Sequence, residues 1–247
     1  MQINSDTRKF QIFSSKKIVE IYKPQIGSFK VIDGNRIYYM PEKGVKEPNL
    51  IVYLLSNVFA YILYQRNFLV LHASAINIKG KSYFFSGWSG VGKSTLLNNL
   101  SGIGALISED VVCISASLRS IFQSLPFIKL SSDHKIKNFS EIYKTQTDKR
   151  KRFIYSVEYP KFEKNKFSAG FFLSIGKENS VKKVSGIKLF QNILSNSFIS
   201  HPITAEDQID ILNKSKMLFE KNNFYLVTRE KNKDFSIEEI ISLIKEN

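Results

Sequence analysis

Gly87, Gly92, Lys93 and Ser94 stand at the spacing GxxxxGK(S/T) within the stretch FFSGWSGVGKSTLLNN, residues 84–99. That combination of types suits a phosphate cradle. Glycines let the backbone curl around anionic oxygens, a lysine offsets charge on the β- and γ-phosphates, and a serine hydroxyl offers a ligand to Mg2+. The contacting set expected from the spacing is Gly87, Ser89, Gly90, Val91, Gly92, Lys93, Ser94 and Thr95. Further along, Glu109 and Asp110 lie side by side in ALISEDVVCISAS, residues 105–117. A carboxylate at a strand end beside a phosphate loop holds Mg2+ or activates the attacking hydroxyl. Ser94 is therefore an expected contact to Mg2+, and Glu109 and Asp110 can serve the two roles of holding Mg2+ and activating the hydroxyl.

These residues need elements to place them. Tyr83, Phe84 and Phe85 run straight into Gly87, and the helix-compatible TLLNNL follows Ser94, so the loop falls where a strand hands over to a helix. Backbone N–H groups and the positive helix end converge on an anion there. Residues 68–78, FLVLHASAINI, form a strand that turns at Lys79-Gly80 and returns into the loop, which makes the sheet mixed. The helix Lys93 to Leu100 is expected to end with Gly102 as a left-handed cap, followed by one strand over 105–117. An extended strand would send Glu109 and Asp110 to opposite sides.

The remainder alternates. Before Glu47, KKIVEIYK, GSFKVIDG and RIYYMPE suggest a small antiparallel sheet, and Leu50 to Tyr64 a buried helix capped by Asn49. Residues 118–160 are less regular, with Leu125 to Leu130, a helix about Lys135 to Tyr143, and then the basic cluster and RFIYSVEY. Phe167 to Ile175 fits a buried central strand. Helices follow at Ile187 to Asn196, Ala205 to Lys221 with Thr204 as N-cap, and from Ser236 with the capping-box pattern SIEE, with a strand at Phe224 to Thr228. The expected class is α/β, one domain over 1–247 with a β-rich portion at 1–47 and the phosphate-loop core at 48–247.

The chain has 247 residues, and 43% hydrophobic and 13% aromatic residues provide for a buried core. The single cysteine, Cys113, excludes an internal disulfide and any multi-cysteine metal site. It is expected to be a small core residue. The amino terminus lacks the layout of a signal peptide, and the apolar helix 50–64 would be roughly 22 Å long against a bilayer core of roughly 30 Å. A cytoplasmic protein without a membrane partner is expected. A net charge of +14 raises nucleic acid as a partner. Lysines are nevertheless scattered, and the one tight cluster is Lys149 to Arg152. Surface solvation accounts for such a distribution, and nucleic-acid binding is not expected.

The segment LHASAINIKGKSYFFSGWSGVGKSTLLNNLSGIGALISEDVVCI resembles the core of the HPr kinase family, whose ATP site is similar to that of the phosphoenolpyruvate carboxykinases. The likeness joins a His-bearing strand, a hairpin, the phosphate loop, a helix and a strand with paired acids. It implies a compact α/β kinase core, with ATP and Mg2+ as cofactors, that transfers the γ-phosphoryl group to a serine hydroxyl. By the same resemblance Lys93 and Ser94 match the nucleotide and Mg2+ contacts, His72 matches a histidine one hairpin before the loop, and Glu109 and Asp110 match paired aspartates. The first of those acts on the attacking hydroxyl. Glu109 stands where the family has aspartate, so the base assignment lies open between Glu109 and Asp110. The glycine-rich carboxy-terminal signature of bifunctional members is not visible, which implies kinase activity without phosphorylase. The chain is most similar in type to stand-alone lasso-peptide precursor kinases, implying a serine-containing peptide or small protein as acceptor.

Arg150 and Arg152 are candidates to clamp a phosphate or peptide carboxylate, since a guanidinium binds two anionic oxygens at once. His134 and His201 are expected to be structural, and Trp88 to pack over the nucleotide or shield the loop. A nucleotide-sensing module with little turnover and a small-molecule kinase stay open as alternatives, as does assembly into a homo-oligomer.

Overall fold

The computed structural model describes residues 11–14, 17–100, 102–123, 127–131, 140–147, 150–156, 165–198 and 204–246, with only the backbone described for 11–14, Asn98, 127–131, 140–147 and 150–156. It is an α/β structure with a mixed central sheet, flanking helices and a separate amino-terminal sheet.

The amino-terminal sheet is antiparallel, in the order β1 (Gln11–Ser14), β2 (Ile18–Lys23), β3 (Gly27–Ile32), β4 (Arg36–Pro41). Val19 and Ile21 of β2 and Phe29 and Val31 of β3 alternate inward and are buried, as a one-sided sheet requires. The tight turn into β4 uses Asp33 (φ 50°) and Gly34 (φ 66°), a left-handed pair that an Asp-Gly dipeptide tolerates. That turn is seated on a helix by two bonds: Gly34 N–H donates to Gln65 Oε1 (2.7 Å), and Arg66 Nε donates to the Gly34 carbonyl (2.6 Å).

The helix comprises α1 (Glu47–Tyr53), a π-helical turn (Leu54–Val58) and α2 (Phe59–Gln65). It begins earlier than its apolar pattern suggests. Lys46 is the N-cap, Pro48 lies in the first turn and Asn49 is already inside. Proline lacks an N–H that the first turn would leave unpaired, so it starts the helix where Asn49 was expected to cap it. Among the described residues no helix is long and apolar enough to cross a membrane.

The central sheet has the order β14 (Ser180–Lys183), β15 (Asn223–Glu230), β13 (Lys166–Gly176), β6 (Lys81–Ser86), β5 (Leu69–Ile78), β8 (Val111–Ser115), β9 (Ser120–Phe122), and β7 (Ala105–Ser108) also pairs with β5. β5 and β6 form the expected hairpin, turning on Lys79 (φ 52°) and Gly80 (φ 83°). β6, β13 and β15 run parallel, so their carboxyl ends share one edge. A three-stranded sheet, β10 (Phe127–Ser131), β12 (Arg150–Ser156), β11 (Ser140–Thr147), is separate from it.

Helices cover both faces. On one face α4 (Gly186–Asn196) and α5 (Ala205–Phe219) bury Leu189, Ile193, Ile211 and Leu218 against Phe84, Phe172 and Phe224. On the other, α3 (Lys93–Leu100) and α6 (Ile237–Glu246) bury Leu96, Leu100, Ile240 and Ile244 against Phe85, Phe171 and Leu173. Neighbouring β13 residues thus serve opposite cores, which explains the unbroken apolar run of a strand buried on both sides.

Three further expectations change. Residues Ser140 to Tyr143 are strand, in β11, and not the end of a helix; Ile142, Tyr143 and Thr145 favour a strand, and β12 supplies the partner. The rest of that helix, residues 135–139, lies outside the described residues, as do Leu125 and Pro126. Gly102 does not take the left-handed conformation. The third change concerns Glu109 and Asp110.

Candidate functional site

β6 delivers the chain to the loop edge, where Ser86 Oγ donates to the His72 carbonyl (2.7 Å) and ties the loop's entry to the neighbouring strand. Gly87 (φ 156°), Gly90 (φ 85°) and Gly92 (φ 112°) then turn through conformations that L side chains rarely adopt. At Gly87 space forbids a side chain too, because a Cβ would lie 2.6 Å from the Leu173 carbonyl of β13. The loop closes with Val91 N–H donating to the Trp88 carbonyl (3.1 Å) and enters α3 with Leu96 N–H donating to the Gly92 carbonyl (2.9 Å). Ser94 and Thr95 fall in the first turn of that helix. Trp88 is 79% exposed.

Lys93 folds back over the loop, donating from Nζ to the carbonyls of Gly87 (2.6 Å) and Trp88 (3.3 Å). Burial pushes its pKa below the usual lysine value, and the charges of Asp110 and Glu109 partly oppose that shift. The two carboxylates are thus close enough for Lys93 to sense them, although 16 and 17 residues separate them from it in sequence.

Glu109 and Asp110 do not sit within one continuous strand. β7 ends at Ser108, paired with Ala75, and β8 begins at Val111, paired with His72. Between them Asp110 takes a left-handed φ of 74°, and Val111 N–H donates to the Glu109 carbonyl (3.0 Å), closing a three-residue turn. Ser108 Oγ braces the turn by donating to the Val111 carbonyl. The carboxylates therefore do not alternate as strand neighbours would. The turn brings Asp110 Oδ1 to 3.1 Å from His72 Nδ1. An ionised carboxylate only accepts, so in this contact Nδ1–H of His72 is the donor. The edge of the His72 ring also meets Phe198, with centroids 5.4 Å apart at 84°. Phe198 arrives on the segment after α4, whose N–H donates to the Val70 carbonyl (3.2 Å).

The loop residues, Lys93, His72, Glu109 and Asp110 thus share one edge of the central sheet. Arg150 and Arg152 are not brought there by any described pairing. Their backbone lies in β12, paired with β11 and β10 of the separate sheet, and their side chains lie outside the described parts. His134 and His201 lie outside the described residues as well. Cys113 is buried in β8, and burial pushes its thiol up to about 12.

Two residues at the site carried no recognised signal in the sequence. Arg229 of β15 donates from Nε to the Val91 carbonyl (3.1 Å), and Phe235 packs beside Gly92. A basic residue ending a buried strand parallel to β6 was the only available clue.

No protein-family model matches this chain, and no curated protein matches it. Among solved structures, the HPr(Ser) kinase/phosphatase from Coxiella burnetii is similar over 72% of this chain and 88% of that one, with 12% identity and a TM-score of 0.32.

Proposed function

We propose that this chain is an ATP- and Mg2+-dependent kinase that transfers the γ-phosphoryl group to a serine hydroxyl of a peptide or small protein, foremost a ribosomal precursor peptide of the lasso type. The observation that carries the reading is the placement of the glycine-rich loop with Lys93 and of the Glu109–Asp110 turn beside His72 at one edge of the central sheet. A phosphate loop alone would serve an ATPase, a GTPase or a kinase equally. A carboxylate pair beside it, with one member fixed by an imidazole, adds the group that an acceptor hydroxyl requires.

The residues fit Mg2+. Ser94 and Asp110 form an oxygen-only donor set, and Mg2+ uses one or two carboxylates with water and phosphate oxygens for the rest. When bound, the ion supplies neutralisation of charge on the β- and γ-oxygens.

The chain's own residues do the remaining work. Lys93 exchanges the Gly87 and Trp88 carbonyls for phosphate oxygens, and the loop amides hold the same groups from behind. Glu109 or Asp110 takes the proton of the serine hydroxyl as its oxygen bonds to the γ-phosphorus and the bond to the ADP oxygen breaks. His72 keeps Asp110 aimed. Catalysis is then mostly positioning and charge stabilisation.

The test is purified protein with ATP, Mg2+ and a serine-ended peptide, read by mass spectrometry. One phosphoryl group gained on serine is expected. ATP binding without any gain on peptide serines would overturn the kinase assignment and favour a nucleotide-sensing module.

A further inference from the structure

The glycine-rich loop is braced from outside by residues that belong neither to its motif nor to the carboxylate turn. Arg229 donates from Nη1 to the carbonyls of Lys233 (2.8 Å) and Glu230 (3.3 Å), which anchor the guanidinium in its own loop. Its Nε is then directed at the Val91 carbonyl, 3.1 Å away. The same guanidinium lies over the Phe235 ring, 5.6 Å from its centroid. Phe235 is buried, and a Cβ on Gly92 would meet that ring at 3.4 Å and Arg229 Nε at 3.9 Å.

The contact at Val91 fixes more than a carbonyl. A trans peptide is planar, so its C=O and the following N–H point in opposite directions, and no peptide of the described residues is cis. With the Val91 carbonyl held toward Arg229, the Gly92 N–H must point away from it. Glycine accepts either sign of φ at little cost, so an untethered Val91–Gly92 peptide would flip between two orientations. Only one of them could donate to a given anion. A ligand that needs a fractionally populated conformation binds more weakly by that fraction.

We infer that Arg229 is a positioning residue of the phosphate site, locking the Val91–Gly92 peptide so that the Gly92 amide donates to bound phosphate. Phe235 packs beside Gly92 and the guanidinium. The inference rests on the proposed role of the loop as a phosphate cradle. It requires the fork of a guanidinium, with Nε on Val91 and Nη1 on the anchoring carbonyls, and a positive charge alone does not supply it.

The experiment uses the full chain with inorganic pyrophosphate as the probe, titrated by calorimetry into wild type, Arg229→Lys and Phe235→Leu. In parallel, amide spectra of protein labelled at glycine nitrogen follow Gly92. Arg229→Lys keeps the charge and loses the fork, so it is expected to bind about tenfold more weakly, as the loss of one hydrogen bond from a charged group implies. Phe235→Leu keeps an apolar backing and is expected to lose less. In wild type the Gly92 amide is expected to shift on binding, and in Arg229→Lys that shift is expected to shrink.

Wild-type affinity in Arg229→Lys would overturn the inference. So would a Gly92 amide that stays unmoved while wild type binds pyrophosphate, a result that needs no variant to fold. If wild type binds neither pyrophosphate nor ATP, the cradle itself is wrong, which separates that failure from the failure of Arg229.

Discussion

Asp110 carries two demands at once, a left-handed backbone and a carboxylate within reach of His72. Aspartate and asparagine tolerate that backbone better than other L residues. Asp110→Asn is therefore expected to melt near the wild-type temperature and to keep ATP binding while the proposed serine phosphorylation falls by about a hundredfold or more. Asp110→Val should cost about 1 to 2 kcal/mol of stability besides, because a branched side chain opposes the turn. Calorimetric melting and the mass-spectrometric transfer assay check the two. Cys113 makes a separate prediction about pH. Its folded pKa, about 12, lies above the ordinary 9.0, so its contribution to stability is whole below pH 9 and is lost as pH rises toward 12. Within that window each pH unit costs about 1.4 kcal/mol, and denaturant titrations at stepped alkaline pH should show a shallower decline for Cys113→Ala. The types and spacing of Gly87 to Ser94 made the loop legible from the sequence. The turn was not, since ALISEDVVCI has strand-forming residues on both sides that both pair with β5, and only the tolerance of aspartate hinted at a break.

Elements were legible where a local interaction fixes them. Thr204 caps α5 in a reciprocal box with Asp207, and Ser236 Oγ accepts from the Glu239 N–H (3.2 Å) at α6, as the residue types foretold. The β5–β6 turn likewise followed from Lys79-Gly80. An element decided by a partner was not legible: β11 gains its strand from β12, and α1 begins earlier than its apolar pattern because Pro48 fits its first turn. The parallel placement of β13 between β6 and β15 is also a property of contact, and Gly170 shows how close that contact is. A Cβ there would lie 2.4 Å from Phe84 Cζ and 2.9 Å from Phe224 Cδ1. Both rings are hemmed in: Phe84 stacks on Phe167 at 5.6 Å and meets Phe172 edge-on at 5.7 Å, and Phe224 meets Phe219 edge-on at 5.2 Å. Gly170→Ala, an ordinary change in an exposed strand, should therefore destabilise the protein by about 1 to 3 kcal/mol through overpacking. A melting temperature equal to wild type would show that the aromatic layer yields.

At the scale of the whole molecule the candidate site straddles two packed bodies of side chains. The loop rests on the core of α3 and α6, through Val91, Leu96 and Phe235. The proposed acceptor side rests on another: Val70, two residues before His72, and Val111, next to Asp110, pack with Val19, Phe29 and Val31 of the amino-terminal sheet and with Tyr61 and Tyr64 of α2. Softening the amino-terminal sheet should thus disturb the His72–Asp110 contact before it disturbs the loop. Phe29 is the place to do so, being buried, stacked on Tyr39 at 4.7 Å and tilted against Tyr53 at 5.6 Å. Phe29→Leu keeps an apolar side chain and forfeits both ring contacts, at a cost of about 1 to 3 kcal/mol. In protein that remains folded, the proposed serine phosphorylation should fall severalfold while affinity for ATP stays within about twofold of wild type, a change of about 0.4 kcal/mol. Binding titrations beside turnover measurements read the two quantities separately. A parallel loss of both would mean that the sheet supports the molecule as a whole and has no particular hold on the acceptor side.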